Sequence, residues 1–407
     1  MSKQSKPTLH QDWIDQTAFM IVDRLQRSGY ESYLVGGCVR DLLVGIHPKD
    51  YDIATSALPD QVRRKVSNSY IIGRRFRLVL VKRGNTQYEV ATFRRNAPIE
   101  LPSADENADV ESVIIAEEKT LPAVSGDNFF GTAKEDAQRR DFTLNALFYD
   151  PIKKNLIDYC AGLEDIEKRI IKVIGNPTER FIEDPIRILR AIRLAHKLNF
   201  SLEHELRAAS ASCSAELKKS ALPRRREEYL KIMKLAEPHL VFSELFDLNI
   251  LEAVLPSLHQ LYQNKEKALI FEQTLIDLKK SCRELTEPVE LFSILAFCYL
   301  HAMAPEFQGS DLDAISENPV LTKFFRDELG MFKLEVSLFF KILDLKSSLL
   351  RKDLYLRKGD RRKKSFLSNE CLPLSLIFAY QEGSIPTYDF YFWLKEQNGA
   401  LESFAQR

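Results

Sequence analysis

The stretch Leu34-Val35-Gly36-Gly37-Cys38-Val39-Arg40-Asp41-Leu42-Leu43-Val44-Gly45-Ile46-His47-Pro48-Lys49-Asp50-Tyr51-Asp52 constrains this chain more than any other. A glycine pair closes an apolar run, and glycine lets backbone approach a bulky anion closely. An Asp-x-Asp pair follows, leading into the next apolar stretch. If Asp50, Tyr51 and Asp52 are extended, side chains alternate and both carboxylates point to one face of a sheet. Two carboxylates beside a glycine turn suit hard divalent cations holding a triphosphate. A lone Asp-x-Asp would be an ordinary solvated strand; the glycines and Arg40-Asp41 at this spacing argue against that.

The arrangement resembles the bacterial class of template-independent RNA nucleotidyltransferases, which comprises poly(A) polymerases and tRNA CCA-adding enzymes. Further matching segments appear in the same order at residues 73–78, 89–94, 139–146 and 175–200. The resemblance is dense over residues 33–234 and faint beyond.

The length of 407 residues, 45% hydrophobic and 29% charged, allows two or more domains with real cores. Lys+Arg and Asp+Glu both number 58, so any basic, nucleic-acid-binding surface is local. The six cysteines contain no C-x-x-C, which argues against a zinc ribbon and fits buried thiols in a reducing compartment. Residues 1–15 are polar, without a signal-peptide core. The longest strongly apolar run, 291–304, is too short for a bilayer and suits a buried helix. A cytoplasmic protein without a membrane partner is expected.

Apolar spacing predicts a helix within residues 12–29, strands at 32–35, 50–54, 78–82 and 89–92, and helices at 39–44, ended by Gly45, and 58–66. Residues 96–127 carry eight acidic residues against Lys119 and read as an inserted mobile acidic loop. A helix at 163–168 and a strand at 170–174 follow, and from Pro185 the pattern is helical. The expected fold is an α/β head, a nucleotidyltransferase-type mixed sheet with helices, followed by an all-α neck, body and tail. The expected divisions are an N-terminal helix and tail (1–30), the head (31–155), a neck (156–235) and a helical RNA-binding body with a basic C-terminal stretch (236–407).

Joining a nucleotide to RNA needs charge neutralisation, which two magnesium ions about 4 Å apart supply; manganese can substitute. Asp50 and Asp52 are the expected metal ligands. Two candidates exist for a third carboxylate. Asp141, in Arg139-Arg140-Asp141-Phe142-Thr143-Leu144-Asn145-Ala146, matches a family motif and is favoured as catalytic; Glu89, opening Glu89-Val90-Ala91-Thr92, is the rival. Gly36, Gly37 and Arg40 are expected to hold the triphosphate through amides and a guanidinium, with Arg140 and Asn145 on ribose or phosphate.

In Arg180-Phe181-Ile182-Glu183-Asp184-Pro185-Ile186-Arg187-Ile188-Leu189-Arg190-Ala191-Ile192-Arg193, Asp184 is a good N-cap with Pro185 at the first helical position. Asp184, Arg187, Arg190 and Arg193 form an i, i+3 row. The resemblance implies that Asp184 and Arg187 read the incoming base, while Arg190 and Arg193 hold phosphate or orient the pair. The segment 222–230 either braces this helix, touches RNA or is a solvated face. Residues 351–366 hold eight basic residues with Tyr355 and Phe366 interleaved. That pattern suits single-stranded RNA, with Arg361, Arg362, Lys363 and Lys364 as the expected contacts; a charged surface loop is the plainer alternative.

Ile72-Gly73-Arg74-Arg75-Phe76-Arg77-Leu78, Asp136-Ala137-Gln138-Arg139-Arg140-Asp141 and Ala195-His196-Lys197-Leu198-Asn199-Phe200 resemble the poly(A) form more than the CCA form. The resemblance thus implies AMP addition from ATP to RNA 3′ ends, on mRNA, other transcripts or tRNA. CCA addition is the alternative, and a catalytically silent RNA-binding relative the second. Cys38 and Val44 depart from the family pattern only in packing volume.

Overall fold

The computed structural model describes residues 9–73, 77–95, 129–282, 285–307 and 311–405. The chain divides into two compact units, Met1–Arg180 with Leu198–Leu206, and Phe181–Lys197 with Arg207–Arg407.

The first unit is built on a seven-stranded sheet. Its strands are β1 (Ser32–Val35), β2 (Asp52–Thr55), β3 (Ser69–Ile72), β4 (Leu78–Arg83), β5 (Thr86–Thr92), β6 (Leu147–Asp150) and β7 (Asn155–Asp158), in the order β3-β4-β5-β2-β1-β6-β7. β2 and β5 run parallel; the other neighbours are antiparallel. Helix α1 (Gln16–Arg27) is capped by Asp15, whose carboxylate accepts from the Ala18 amide at 2.9 Å. Its buried stripe, Ala18, Ile21, Val22 and Leu25, has the helical period. Helix α2 (Gly37–Val44) joins β1 to β2 and ends at Gly45, in the left-handed region at φ 76°. Helix α3 (Pro59–Lys65) opens on proline, as expected. Helices α4 (Ala133–Gln138), α5 (Gly162–Lys168) and α6 (Pro177–Glu183) complete the order up to the second unit. One core gathers Val35, Ala54, Phe93, Phe148 and the α4 residues Ala133 and Ala137.

Three expectations change. The strand expected at 50–54 begins at Asp52, so Asp50 lies just ahead of it and period-two alternation does not by itself align the two aspartates. The strand expected at 170–174 shrinks to Ile170–Ile171, paired with Ser201–Leu202. β3 and β6 were not anticipated; β6 is buried on both faces and lacks alternation. The acidic segment 96–127 lies outside the described residues. Its flanks are stitched together, with the Arg95 amide donating to the Phe129 carbonyl at 2.9 Å.

The described part of the second unit is helical. Helix α7 (Ile186–Leu198) runs almost wholly within it and is followed by α8 (Leu222–Met233), α9 (Lys265–Ser281), α10 (Pro288–Ala302) and α11 (Lys333–Leu349). The apolar run at 291–304 forms most of α10, buried nearly all round, which explains its continuous hydrophobicity. At the C-terminal end, α12 (Lys352–Leu356), α13 (Asp360–Leu367), α14 (Leu372–Gln381) and α15 (Thr387–Ala405) surround a core centred on Tyr355, Leu372, Leu376 and Trp393. Among the described residues, no helix is long and apolar enough to cross a membrane.

Candidate active site

Asp52 opens β2 and pairs in register with Glu89 on β5. Neighbouring strands lie roughly 4.8 Å apart, so the two carboxylates stand side by side on one face. Both residues reach solvent, yet the carboxylate of Asp52 is ringed by protein. That desolvation, then the like charges of Glu89 and Asp50, raise its pKa to about 6 against the opposing pull of Arg140 and Arg40. Tyr51 is buried between the aspartates and its hydroxyl donates to the Trp13 carbonyl. Among the described residues, no three His, Cys, Asp or Glu side chains form a ready-made metal cage.

Gly36 turns the chain from β1 into α2 with φ 73°, a conformation that side chains resist. A Cβ there would lie 3.0 Å from Arg140 Nη1 and 4.0 Å from Asp52 Oδ2, so only hydrogen keeps this corner open. The Gly36 amide donates to the Leu147 carbonyl at 3.2 Å, which fixes the turn against β6. The first-turn amides of a helix have no intrahelical partners, which gives this end of α2 a positive character. Cys38 tucks beneath, its thiol 3.2 Å from the Val35 carbonyl and pushed up to about 12 by burial and by Asp52.

Arg40 is buried, at 6% exposure. Its Nε and Nη2 donate to Asp41 at 2.8 and 2.6 Å, and its Nη1 donates to Asn145 Oδ1 at 2.5 Å. Asn145 Nδ2 in turn donates to Asp141 Oδ1 at 3.0 Å. Asp41, Arg40, Asn145 and Asp141 thus form one chain of hydrogen bonds. It is Glu89 that stands next to Asp52, while Asp141 is engaged with Asn145. Arg140 lies between these groups, with its guanidinium 5.3 Å from the Phe148 ring centroid.

Sequence reading missed Asp136. This buried carboxylate accepts from Arg139 at 2.7 Å, from Arg140 at 3.0 Å and from the Arg94 amide at 3.1 Å. Burial pushes its pKa up, but Arg140 and Arg139 prevail and hold it below the usual range. The i, i+3 and i, i+4 spacing of Asp136, Arg139 and Arg140 was the available signal. Arg180 adds a second brace, donating to the Arg139 and Arg140 carbonyls at 3.0 and 2.7 Å.

In the second unit, the charged row of α7 is held by α8. The carboxylate of Asp184 accepts both Nη groups of Arg224 at 2.8 Å, and the Asp184 carbonyl accepts the Arg187 amide. The helix starts at Ile186, so Pro185 stands one residue ahead of the expected position. Arg187 Nη1 donates to Glu183 at 2.7 Å. Arg193 Nε donates to Glu228 at 2.6 Å, and Arg190 lies 3.8 Å from the same carboxylate. Burial raises the pKa of Glu228, but Arg193, Lys231 and Arg190 outweigh it and lower it. Of the roles open to residues 222–230, Arg224 and Glu228 serve as braces.

The basic stretch at 351–366 is not a loop. Arg361 and Arg362 are exposed on α13, with Lys363 and Lys364 half-buried. Tyr355 and Phe366 are not exposed stacking rings: both pack around Trp393. Lys363 lies 5.6 Å from the Tyr355 centroid and Lys358 5.2 Å from that of Phe366. The interleaving arises because each short helix needs an aromatic anchor to the core.

The sequence pattern of the Poly A polymerase head domain matches residues 32–172, and that described as the probable RNA and SrmB-binding site of polymerase A matches residues 199–262. Poly(A) polymerase I of Salmonella typhi is 34% identical over 325 residues, covering 77% of this chain and 68% of the relative. The chain belongs to the poly(A) polymerase family. A CCA-adding enzyme of Geobacillus sp. is 39% identical over 219 residues, but these are 54% of this chain and 49% of that enzyme. Among solved structures, the Bacillus stearothermophilus CCA-adding enzyme in complex with CTP superposes with a TM-score of 0.65 at 24% identity, covering 95% of this chain and 82% of that one. At that identity the likeness is one of fold. Family membership and fold agree with the α/β head and helical remainder expected from sequence.

Proposed function

We propose that this poly(A) polymerase family member is a polynucleotide adenylyltransferase, adding AMP from ATP to RNA 3′ ends. The primer 3′-oxygen attacks the α-phosphorus, an O3′–P bond forms, the bond to pyrophosphate breaks and the hydroxyl proton is lost. The observation that carries the reading is the pairing of Asp52 with Glu89 beside the Gly36 turn.

Asp52 and Glu89, joined by Asp50, are the residues that would hold divalent cations, two magnesium ions in the simplest reading, with manganese able to substitute. The crowding that raises the Asp52 pKa supports this, because carboxylates placed against like charge are relieved by a cation. Such ions keep several water and phosphate ligands, so a full protein cage is not needed. Bound there, they would neutralise the reacting phosphate and lower the barrier.

Gly36 and Gly37 open the first turn of α2 to the triphosphate, and Arg140 supplies the nearest guanidinium. Arg40 and Asp141 act through Asn145, orienting it toward the nucleotide; the buried hydrogen-bond chain supports this over a mobile phosphate grip for Arg40. Asp184 and Arg187 read the incoming base, with Arg224 holding Asp184 in place. Arg190 and Arg193 orient that pair from their anchor on Glu228. Arg361, Arg362, Lys363 and Lys364 contact RNA phosphates. Six free cysteines are consistent with a reducing cytoplasm.

The Geobacillus match favours CCA addition as the second reading, since it is the higher identity over the shorter stretch. Its span is the region both activities share, so the longer match carries more weight. Incubating the protein with an oligo(A) primer, with tRNA lacking its CCA end and with each NTP separately decides. A tail grown from ATP alone is expected; CTP incorporation on the tRNA would replace this reading with CCA addition.

A further inference from the structure

The register of the sheet extends the candidate site toward its edge. Asp52 pairs with Glu89, Glu89 with Leu80 and Leu80 with Tyr70. These four residues form one row across β2, β5, β4 and β3, all on one face. Tyr70 is 59% exposed and its strand neighbour Ile72 is 41% exposed. The opposite face of β4 carries Val79 and Val81, both buried, and α3 packs on these strands. Lys82, also exposed, shares the open face with Leu80. From the two carboxylates to the sheet edge, the surface changes from acidic to apolar to aromatic, with a cation at its rim.

We propose that this edge platform, Tyr70 with Ile72 and Leu80 beside it and Lys82 at the rim, holds a base of the RNA strand whose 3′ end reacts at Asp52 and Glu89. The inference rests on the reading that these carboxylates are the reaction centre. Three strand spacings put Tyr70 about 14 Å from Asp52, too far for the reacting ribose and suited to an upstream nucleotide. Base stacking on an exposed ring is sequence-tolerant, which a template-independent enzyme needs for whatever RNA it meets, and open sheet faces bearing aromatics hold single strands in this way. Lys82 supplies a phosphate contact to the same strand.

Tyr70→Ala and Tyr70→Phe test this. Binding of a fluorescent oligo(A) is measured without ATP, and the KM values for primer and ATP are measured separately. For Tyr70→Ala the oligo(A) Kd and primer KM should rise roughly tenfold, with the ATP KM and the rate at saturating primer unchanged; Tyr70→Phe, which keeps the ring, should restore wild-type binding. Unchanged oligo(A) binding in Tyr70→Ala overturns the platform. So does a rise confined to the ATP KM, which would move the ring to the incoming nucleotide, or failure of Tyr70→Phe to rescue. If the wild-type protein incorporates no AMP yet Tyr70→Ala weakens oligo(A) binding, the platform stands and the proposed activity falls.

Discussion

The two charged regions of this protein are built on opposite principles. In the first unit, Asp52 and Glu89 are brought together by strand pairing, and the consequence is a carboxyl group lifted to about pH 6. In the second unit, the charges of α7 meet their opposites: Asp184 meets Arg224, Arg187 meets Glu183, and Arg193 meets Glu228. The first arrangement is electrostatically incomplete and gains from a cation brought by the reaction. The second is complete in itself and holds its hydrogen-bonding groups in fixed directions, as selection of a base requires.

The comparison breaks most directly at Asp52. Asp52→Asn should lower kcat/KM by on the order of a thousandfold, without lowering the melting temperature, because the substitution removes repulsion. Primer extension and calorimetry on one preparation check both halves. A variant that loses activity and stability together would make Asp52 a structural residue.

Next in size is Glu228→Gln, which leaves Arg193 and Arg190 beside a neutral partner. A loss of about 2–3 kcal/mol is expected, read by denaturant unfolding. The pH dependence has a definite sign. The folded pKa of Glu228 lies below its ordinary 4.5, so its stabilisation is present above that value and is lost as pH falls through the lower folded pKa. The variant should therefore lose less stability than wild type on acidification; an equal loss would remove Glu228 from the network.

Arg224→Ala sharpens the contrast at lower cost. Arg224 is 55% exposed, so stability should change by only about 0.5 kcal/mol. Discrimination between ATP and the other triphosphates should fall roughly tenfold, measured as kcat/KM for each NTP. A uniform fall for all four would show Arg224 acting on RNA or on the fold instead of through Asp184. Smallest is Arg361→Ala with Arg362→Ala, two exposed cations on α13. Primer Kd should rise a few-fold, with log K against log salt shallower by about 2. An unchanged slope would leave these arginines as a solvated face.

Much of this was legible from residues near one another in the chain. The glycine turn, the helix after it and the Asp184–Arg193 row are local patterns with local causes, and all three appear in the structure. What the sequence held back depended on pairing across distance. Glu89 next to Asp52 requires the parallel register of β2 and β5, which no local spacing encodes. Arg40 looks like a free phosphate clamp until Asn145, far along the chain, is brought to it. Tyr355 and Phe366 looked like RNA-stacking rings because a basic helix anchored by aromatics and a basic loop displaying them have the same composition; only the position of Trp393 separates them.

The sheet order also dictates a timetable. β1 sits between β2 and β6, and the Gly36 turn is fastened to Leu147. As the chain is synthesised, the glycine turn and Asp52 emerge early, but their closing strand emerges far later. Until then β1 presents an unpaired edge, a hazard for nascent chains. The corner at Gly36 is therefore finished only when β6 docks. In a series of stalled nascent chains, nucleotide binding should first appear after β6 has cleared the ribosome, making the ligand a reporter of completed folding.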